Sequence, residues 1–138
     1  MNWASLTLRV GLGSMMAFGH GWKKMLYLFS GMEIKFDSLP FIPAVPELAM
    51  AVFAELICGI MIIVGLKTRW ASIPMIFTML VASFIYHWNH PLFQQFDEGS
   101  GNKEFALVYL FGFITIFLIG SGKYSIDYLF SKSSNYSS

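Results

Sequence analysis

The stretch LAMAVFAELICGIMIIVGL, residues 48–66, is apolar from end to end except for Glu55 near its middle. A run of about 20 mostly apolar residues is long enough to cross the hydrocarbon core of a bilayer as a helix. A carboxylate at the centre of such a helix costs about 2.5–3.5 kcal/mol, and carboxylates in this position usually face the inside of a helix bundle. The run therefore predicts a membrane-spanning helix in which Glu55 meets a polar or basic partner.

The composition of the whole chain favours a membrane protein. Of the 138 residues, 56% are hydrophobic and 12% are charged, whereas a soluble domain carries roughly 25% charged residues. We therefore expect the lipid bilayer to be the main partner of the chain. The net charge is +1, and no basic stripe stands clear of the apolar runs, so a nucleic-acid partner is not expected.

Apolar runs of similar length recur along the chain. We predict an all-α fold, an integral membrane four-helix bundle that occupies residues 1–130, with a short polar C-terminal tail at residues 131–138. The approximate helices span residues 3–29, 46–66, 70–88 and 104–120. The tight polar turn at residues 67–69 predicts that the second and third helices form an antiparallel hairpin.

The Lys/Arg bias of the short loops sets the expected orientation. Lys67 and Arg69 form the most concentrated charge in a short loop. This favours the orientation in which that turn, and with it the N and C termini, is cytoplasmic.

Arg9 is the basic residue whose depth best matches that of Glu55. Counted from the proposed cytoplasmic ends, Arg9 lies ~8 Å deep and Glu55 ~16 Å deep on neighbouring helices. At helical spacing Arg9 shares one face with Gly13, Ala17, His20 and Lys24, and Glu55 shares a face of small residues with Ala51 and Gly59; small residues let membrane helices approach closely. We predict an Arg9–Glu55 ion pair, which either fixes the helix register or handles protons and polar ligands.

A second group of ionisable residues falls near the opposite ends of the helices. His20, His87 and Glu104 all come out ~24 Å from the cytoplasmic ends by the same count. Two imidazoles and a carboxylate can relay protons or hold a metal, although no metal-binding sequence spacing is present. With Arg9 and Glu55, these three residues complete the set of candidate catalytic residues.

Three motifs carry a resemblance to a known family. LRVGLGSMMAFGHGWKKM, residues 8–25, resembles the first-helix signature of the DoxX family. AELICG followed by GLKTR, residues 54–59 and 65–69, resembles its second motif, and GKYSID, residues 122–127, is similar to its closing motif. The residues that match the motif positions are Arg9, Gly21, Lys24, Glu55, Gly59, Arg69 and Asp127.

The resemblance implies a small bacterial inner-membrane protein with four helices. Some members, such as the DoxD subunit, belong to thiosulfate:quinone oxidoreductase, and others are linked to redox homeostasis. We therefore expect a multi-pass membrane component of a quinone-linked or thiol- and sulfur-linked redox system.

The sequence itself identifies no cofactor, although a bundle lined with Phe and Met can accept a flat apolar ring such as a quinone. A redox partner protein that supplies electrons and a homo-oligomer are the protein partners that we consider. The alternative is a protein without catalytic activity, either a small-solute carrier or a membrane scaffold for a partner protein.

Overall fold

The structure, a computed structural model, describes residues 2–36, 39–89, 91–92 and 103–134. These residues form helices and the turns between them, and they contain no strand. The all-α prediction is therefore confirmed for the described part of the chain.

In the described part of the chain, four long helices and one short helix follow one another. Helix α1 covers residues 2–28 as Asn2–Met16, a π-helical segment Ala17–Gly21, and Trp22–Leu28. Helix α2 covers residues 44–64 as Ala44–Val52, a π-helical segment Phe53–Cys58, and Gly59–Val64. Helix α3 covers residues 68–86 as Thr68–Val81 and a π-helical segment Ala82–Tyr86. Helices α4 and α5 are Lys103–Ile119 and Ile126–Ser134.

The long helices start at residues 2, 44, 68 and 103, against predicted starts at 3, 46, 70 and 104. The hairpin between α2 and α3 has the expected tight turn. Gly65 ends α2 with φ 73°, a left-handed conformation that favours glycine. Lys67 continues the turn with φ 45°, and α3 begins at Thr68.

Helices α2 and α3 are the two described helices that are long and apolar enough to cross a membrane. Their mean hydropathies are 2.3 and 1.4 over 21 and 19 residues. The core lies where α1, α2, α3 and α4 meet, and its buried residues include Met16, Cys58, Ile62, Met75, Met79, Phe113 and Ile116.

Small residues allow α1 and α2 to pack backbone against backbone. Gly13 and Ala17 of α1 lie against Gly59 of α2, as the predicted small face required. The two helices approach most closely at Gly21, where a Cβ atom would lie 2.6 Å from the backbone nitrogen of Leu56 and 2.9 Å from the carbonyl carbon of Glu55. These distances leave no room for any side chain at residue 21.

The C-terminal helix α5 was not predicted. Residues 131–134, which we assigned to the polar tail, continue this helix, and residues 135–138 of that tail lie outside the described part. Asp127 in the first turn of α5 ties it to the α2–α3 turn. Its Oδ1 and Oδ2 accept hydrogen bonds from the backbone nitrogens of Lys67 (2.6 Å) and Thr68 (3.1 Å). Asp127 therefore satisfies amides at the start of α3 that have no partner within that helix.

We expect Gly21→Ala to destabilise the protein because the added methyl group meets the α2 backbone rather than a flexible side chain. Overpacking of this kind costs about 1–3 kcal/mol. Gly19→Ala is the matched control, since a Cβ at Gly19, in the same π-helical segment, meets nothing within 4 Å. The free energy of unfolding in detergent should fall for Gly21→Ala alone. Equal effects of the two changes would contradict the close approach of α1 and α2.

Replacing Asp127 by Ala should cost about 0.5–2 kcal/mol, the range found for the loss of a helix cap. Lys132→Ala, a change at an exposed position of the same helix, should leave the unfolding midpoint nearly unchanged. If the two variants unfold alike, the contact of α5 with the α2–α3 turn does not contribute to stability.

Candidate functional site

A pocket of about 280 Å³ lies where α1, α2 and α3 meet, at the ends of these helices away from the α2–α3 turn. Two residues of the segment between α1 and α2, Phe36 and Leu39, also line it. The polar residues of its lining are Lys24, Glu47, Glu55, Thr78, Tyr86 and His87. The remaining lining residues are apolar, as is typical of pockets that bind small organic molecules.

Glu55 lies in this pocket and forms an ion pair with Lys24. The Nζ atom of Lys24 donates a hydrogen bond to Glu55 Oε1. The side chain of Glu55 is 2% exposed and that of Lys24 is 29% exposed. The second carboxylate oxygen of Glu55, Oε2, is buried and has no hydrogen-bond partner among the described residues.

The predicted Arg9–Glu55 pair is wrong. Arg9 is fully buried, and its guanidinium donates to the carbonyl oxygens of Ile62 and Ile63 (both 3.3 Å) and Tyr124 (2.5 Å). Carbonyls at the end of an α-helix carry partial negative charge, and that of Ile62 also accepts a hydrogen bond from the backbone nitrogen of Gly65 (3.1 Å). Ile62 lies seven residues beyond Glu55, or about 10 Å along the helix axis. Arg9 therefore caps the far end of α2, and Lys24, about four turns further along α1, reaches Glu55.

A second buried carboxylate, Glu47, was not among the candidate residues. It is 6% exposed; its Oε1 accepts a hydrogen bond from the Tyr86 hydroxyl (2.7 Å) and its Oε2 from the Leu39 backbone nitrogen (2.9 Å). Glu47, Ala51 and Glu55 follow one another at helical spacing. Extending the predicted Ala51–Glu55–Gly59 face by one turn would have found Glu47.

The outer group of His20, His87 and Glu104 does not form a metal site. Among the described residues, no three His, Cys, Asp or Glu side chains lie close enough to hold a metal ion. His87 lines the pocket, whereas His20 is exposed and meets the ring of Tyr109 edge-on at 6.3 Å between centroids. Glu104 is exposed in the first turn of α4.

The π-helical segment of α1 explains where His20 points. A π-helical turn closes i→i+5 hydrogen bonds and holds more residues than an α-helical turn. The residue that continues the Gly13–Ala17 face is therefore Gly21, and His20 rotates away from α2. Glu55 itself lies in the matching π-helical segment of α2, and π-helical turns are frequent at functional sites.

Two of the remaining motif residues lie at the opposite end of the helices. The Arg69 guanidinium donates to the carbonyl oxygen of Leu118 near the end of α4 (3.4 Å), and Asp127 binds the α2–α3 turn. The motif residues thus lie in three places. Gly21 and Gly59 form the contact between α1 and α2, and Lys24 and Glu55 line the pocket. Arg9, Arg69 and Asp127 lie at the end of the helices that contains the α2–α3 turn.

Comparison with known proteins gives one match: the DoxX family model matches residues 4–88, more than half of the 138-residue chain. The chain belongs to the DoxX family. No curated protein and no solved structure matches it. Every lining residue of the pocket, from Lys24 to His87, lies within the part that matches the DoxX model, whereas α4 and α5 lie beyond it. Membership of the DoxX family and the two apolar helices indicate a small membrane protein.

The Lys24–Glu55 pair of this DoxX protein should be measurable by a double-mutant cycle. Lys24→Met leaves a buried carboxylate without its cation, so it should destabilise strongly, and adding Glu55→Gln should recover part of the loss. We expect a coupling energy of about 1–2 kcal/mol, within the range for residues in contact and lowered by the partial exposure of Lys24.

The control is the double-mutant cycle of Arg9→Met and Glu55→Gln, because these two side chains are not in contact. Its effects on the free energy of unfolding should add to within about 0.5 kcal/mol. Coupling in the Arg9 cycle and additivity in the Lys24 cycle would restore the pairing that we first predicted.

Proposed function

We propose that the protein is a multi-pass inner-membrane component of a quinone-linked redox system, with its ligand bound in the pocket beside Lys24 and Glu55. In this proposal helices α1 to α4 form a transmembrane four-helix bundle, and both termini are cytoplasmic. The observation that carries the proposal is a buried carboxylate, held by one lysine, in a pocket that is otherwise mainly apolar.

The outer surfaces of the helices support the bilayer part of the proposal. Large apolar side chains are exposed on all four long helices, and they include Trp3, Phe18, Phe53, Phe77, Phe111 and Leu118. Soluble monomers rarely expose apolar surface on this scale, because it is unfavourable in water. Lipid would cover these side chains at no such cost.

The shape and lining of the pocket suit a flat apolar ring. Phe36 and Tyr86 meet edge-on with their ring centroids 5.9 Å apart, and Phe77 adds a third aromatic ring to the lining. Met50 and Phe77 are 52% and 64% exposed, so the pocket opens beside α2 and α3 onto the apolar outer surface. A lipid-soluble ligand would enter from that side.

Lys24 and Glu55 supply the polar groups that a quinone needs. The ammonium group of Lys24 carries three hydrogen-bond donors, and one of them is used by Glu55 Oε1. A ring carbonyl oxygen of the ligand can accept a hydrogen bond from a second of these donors. Ionisable residues inside a bilayer commonly mark proton pathways, and reduction of a quinone takes up protons together with electrons. Lys24 and Glu55 would handle the protons, and a redox partner protein would supply the electrons.

We expect Ala51→Phe to weaken the binding of a short-chain benzoquinone at least about tenfold, because Ala51 lines the pocket and a phenyl group there fills the space for the ring. Ala49→Phe adds the same group to an exposed position of α2 and should leave the dissociation constant unchanged. Binding is measured by equilibrium dialysis with the protein in lipid nanodiscs, and partition into empty nanodiscs is subtracted.

Equal binding by both variants would place the quinone elsewhere on the protein. The absence of saturable binding to the unmodified protein would overturn the proposal. Solute flux in proteoliposomes without redox coupling would then favour the small-solute carrier. If the protein neither binds quinone nor transports a solute, the membrane scaffold is the alternative that remains.

A further inference from the structure

The two carboxylates of the pocket differ in how completely the protein satisfies them. Both oxygens of Glu47 accept hydrogen bonds, from the Tyr86 hydroxyl and the Leu39 backbone nitrogen. Glu55 uses only Oε1, and its buried Oε2 has no partner among the described residues. A buried acceptor without a donor is unfavourable. A bound molecule that provides a donor to Oε2 would satisfy this acceptor.

The chemistry of that molecule follows from the groups around Oε2. The ammonium group of Lys24, next to Glu55 Oε1, offers donors, whereas Oε2 needs one. A hydroxyl group donates one hydrogen bond and accepts others, so a single hydroxyl can bind both groups at once. A ring carbonyl only accepts: it can bind Lys24, but it leaves Oε2 buried and unsatisfied.

On the basis of the proposed function, we propose that this pocket binds the quinol in preference to the quinone. One ring hydroxyl of the quinol donates to Glu55 Oε2, and its oxygen accepts from Lys24 Nζ. Both redox forms share the same apolar ring, so the pocket distinguishes them by hydrogen bonding at Glu55. We expect the quinol to bind about tenfold more tightly, which is the effect of satisfying one buried acceptor.

The test compares the dissociation constants of a short-chain benzoquinone and its quinol under anaerobic conditions, with the full chain in lipid nanodiscs. Glu55→Gln replaces the carboxylate by an amide that can also donate, so the quinol preference should fall to about one. Glu47→Gln is the matched control: it also removes one negative charge from the pocket lining, but at a carboxylate that the protein already satisfies. Any change in the two affinities should be equal, so that the ratio between them stays near tenfold.

A ligand-side test covers the case in which Glu55→Gln does not fold. The dimethyl ether of the quinol keeps the aromatic ring and loses both hydroxyl donors, so with the unmodified protein it should bind no more tightly than the quinone.

Three results would overturn the inference. Equal affinity for quinone and quinol, or tighter binding of the quinone, would show that Oε2 does not select the ligand while leaving quinone binding intact. If Glu55→Gln still prefers the quinol, or if the dimethyl ether binds to the unmodified protein more tightly than the quinone, the group that selects the ligand lies elsewhere. If neither redox form binds saturably, the proposed function fails and this inference fails with it.

Discussion

The contact between the backbones of α1 and α2 is the constraint on which the pocket depends. At Gly21 the two helices are so close that a Cβ atom would lie 2.6 Å from the Leu56 nitrogen. Gly59 opposite Ala17 continues the contact one turn further along. Because α1 is held this near to α2, Lys24, three residues beyond Gly21, reaches the carboxylate of Glu55. With larger residues at these positions the helices would separate, and Glu55 would be buried without a cation.

The energetics of the pocket distinguish its two carboxylates. Transfer of an ionised carboxylate out of water is costly unless charge and hydrogen bonds compensate it. Glu47 receives two neutral donors and thereby connects the start of α2 to the end of α3. Glu55 receives one charged donor and retains an unsatisfied oxygen. Native proteins leave few buried polar atoms unsatisfied, and those that remain call for an explanation such as a ligand or a catalytic role. This difference is why we assign the ligand contact to Glu55 and a positioning role to Glu47.

The apolar run around Glu55 indicated that this carboxylate is buried, but the sequence predicted the wrong partner for it. Apolar runs and the polar turn at residues 67–69 located the long helices to within two residues at their starts. The predicted partner was wrong because a count of depth compares side chains only, whereas Arg9 donates to backbone carbonyls at the end of α2. The direction of His20 depended on a π-helical turn that regular helical spacing does not reveal. Helix α5 was missed because it is short and its link to the fold, Asp127 with the amides of residues 67 and 68, joins segments that are distant in sequence.

Arg9 and Lys24, two basic residues of α1, lead to opposite conclusions about the two ends of the molecule. Arg9 is fully buried, and it is bound by three backbone carbonyls from α2 and the segment before α5. Backbone carbonyls neither titrate nor leave, so this end is fixed, and Asp127 fixes it further through backbone amides. Lys24 is 29% exposed and bound to a carboxylate whose other oxygen is buried without a hydrogen-bond partner among the described residues. An ion pair of two side chains can rearrange and can exchange protons, whereas a helix cap cannot do so without loss of structure. We therefore propose that the motif residues at the Arg9 end serve stability and that the chemistry takes place at the Lys24 end.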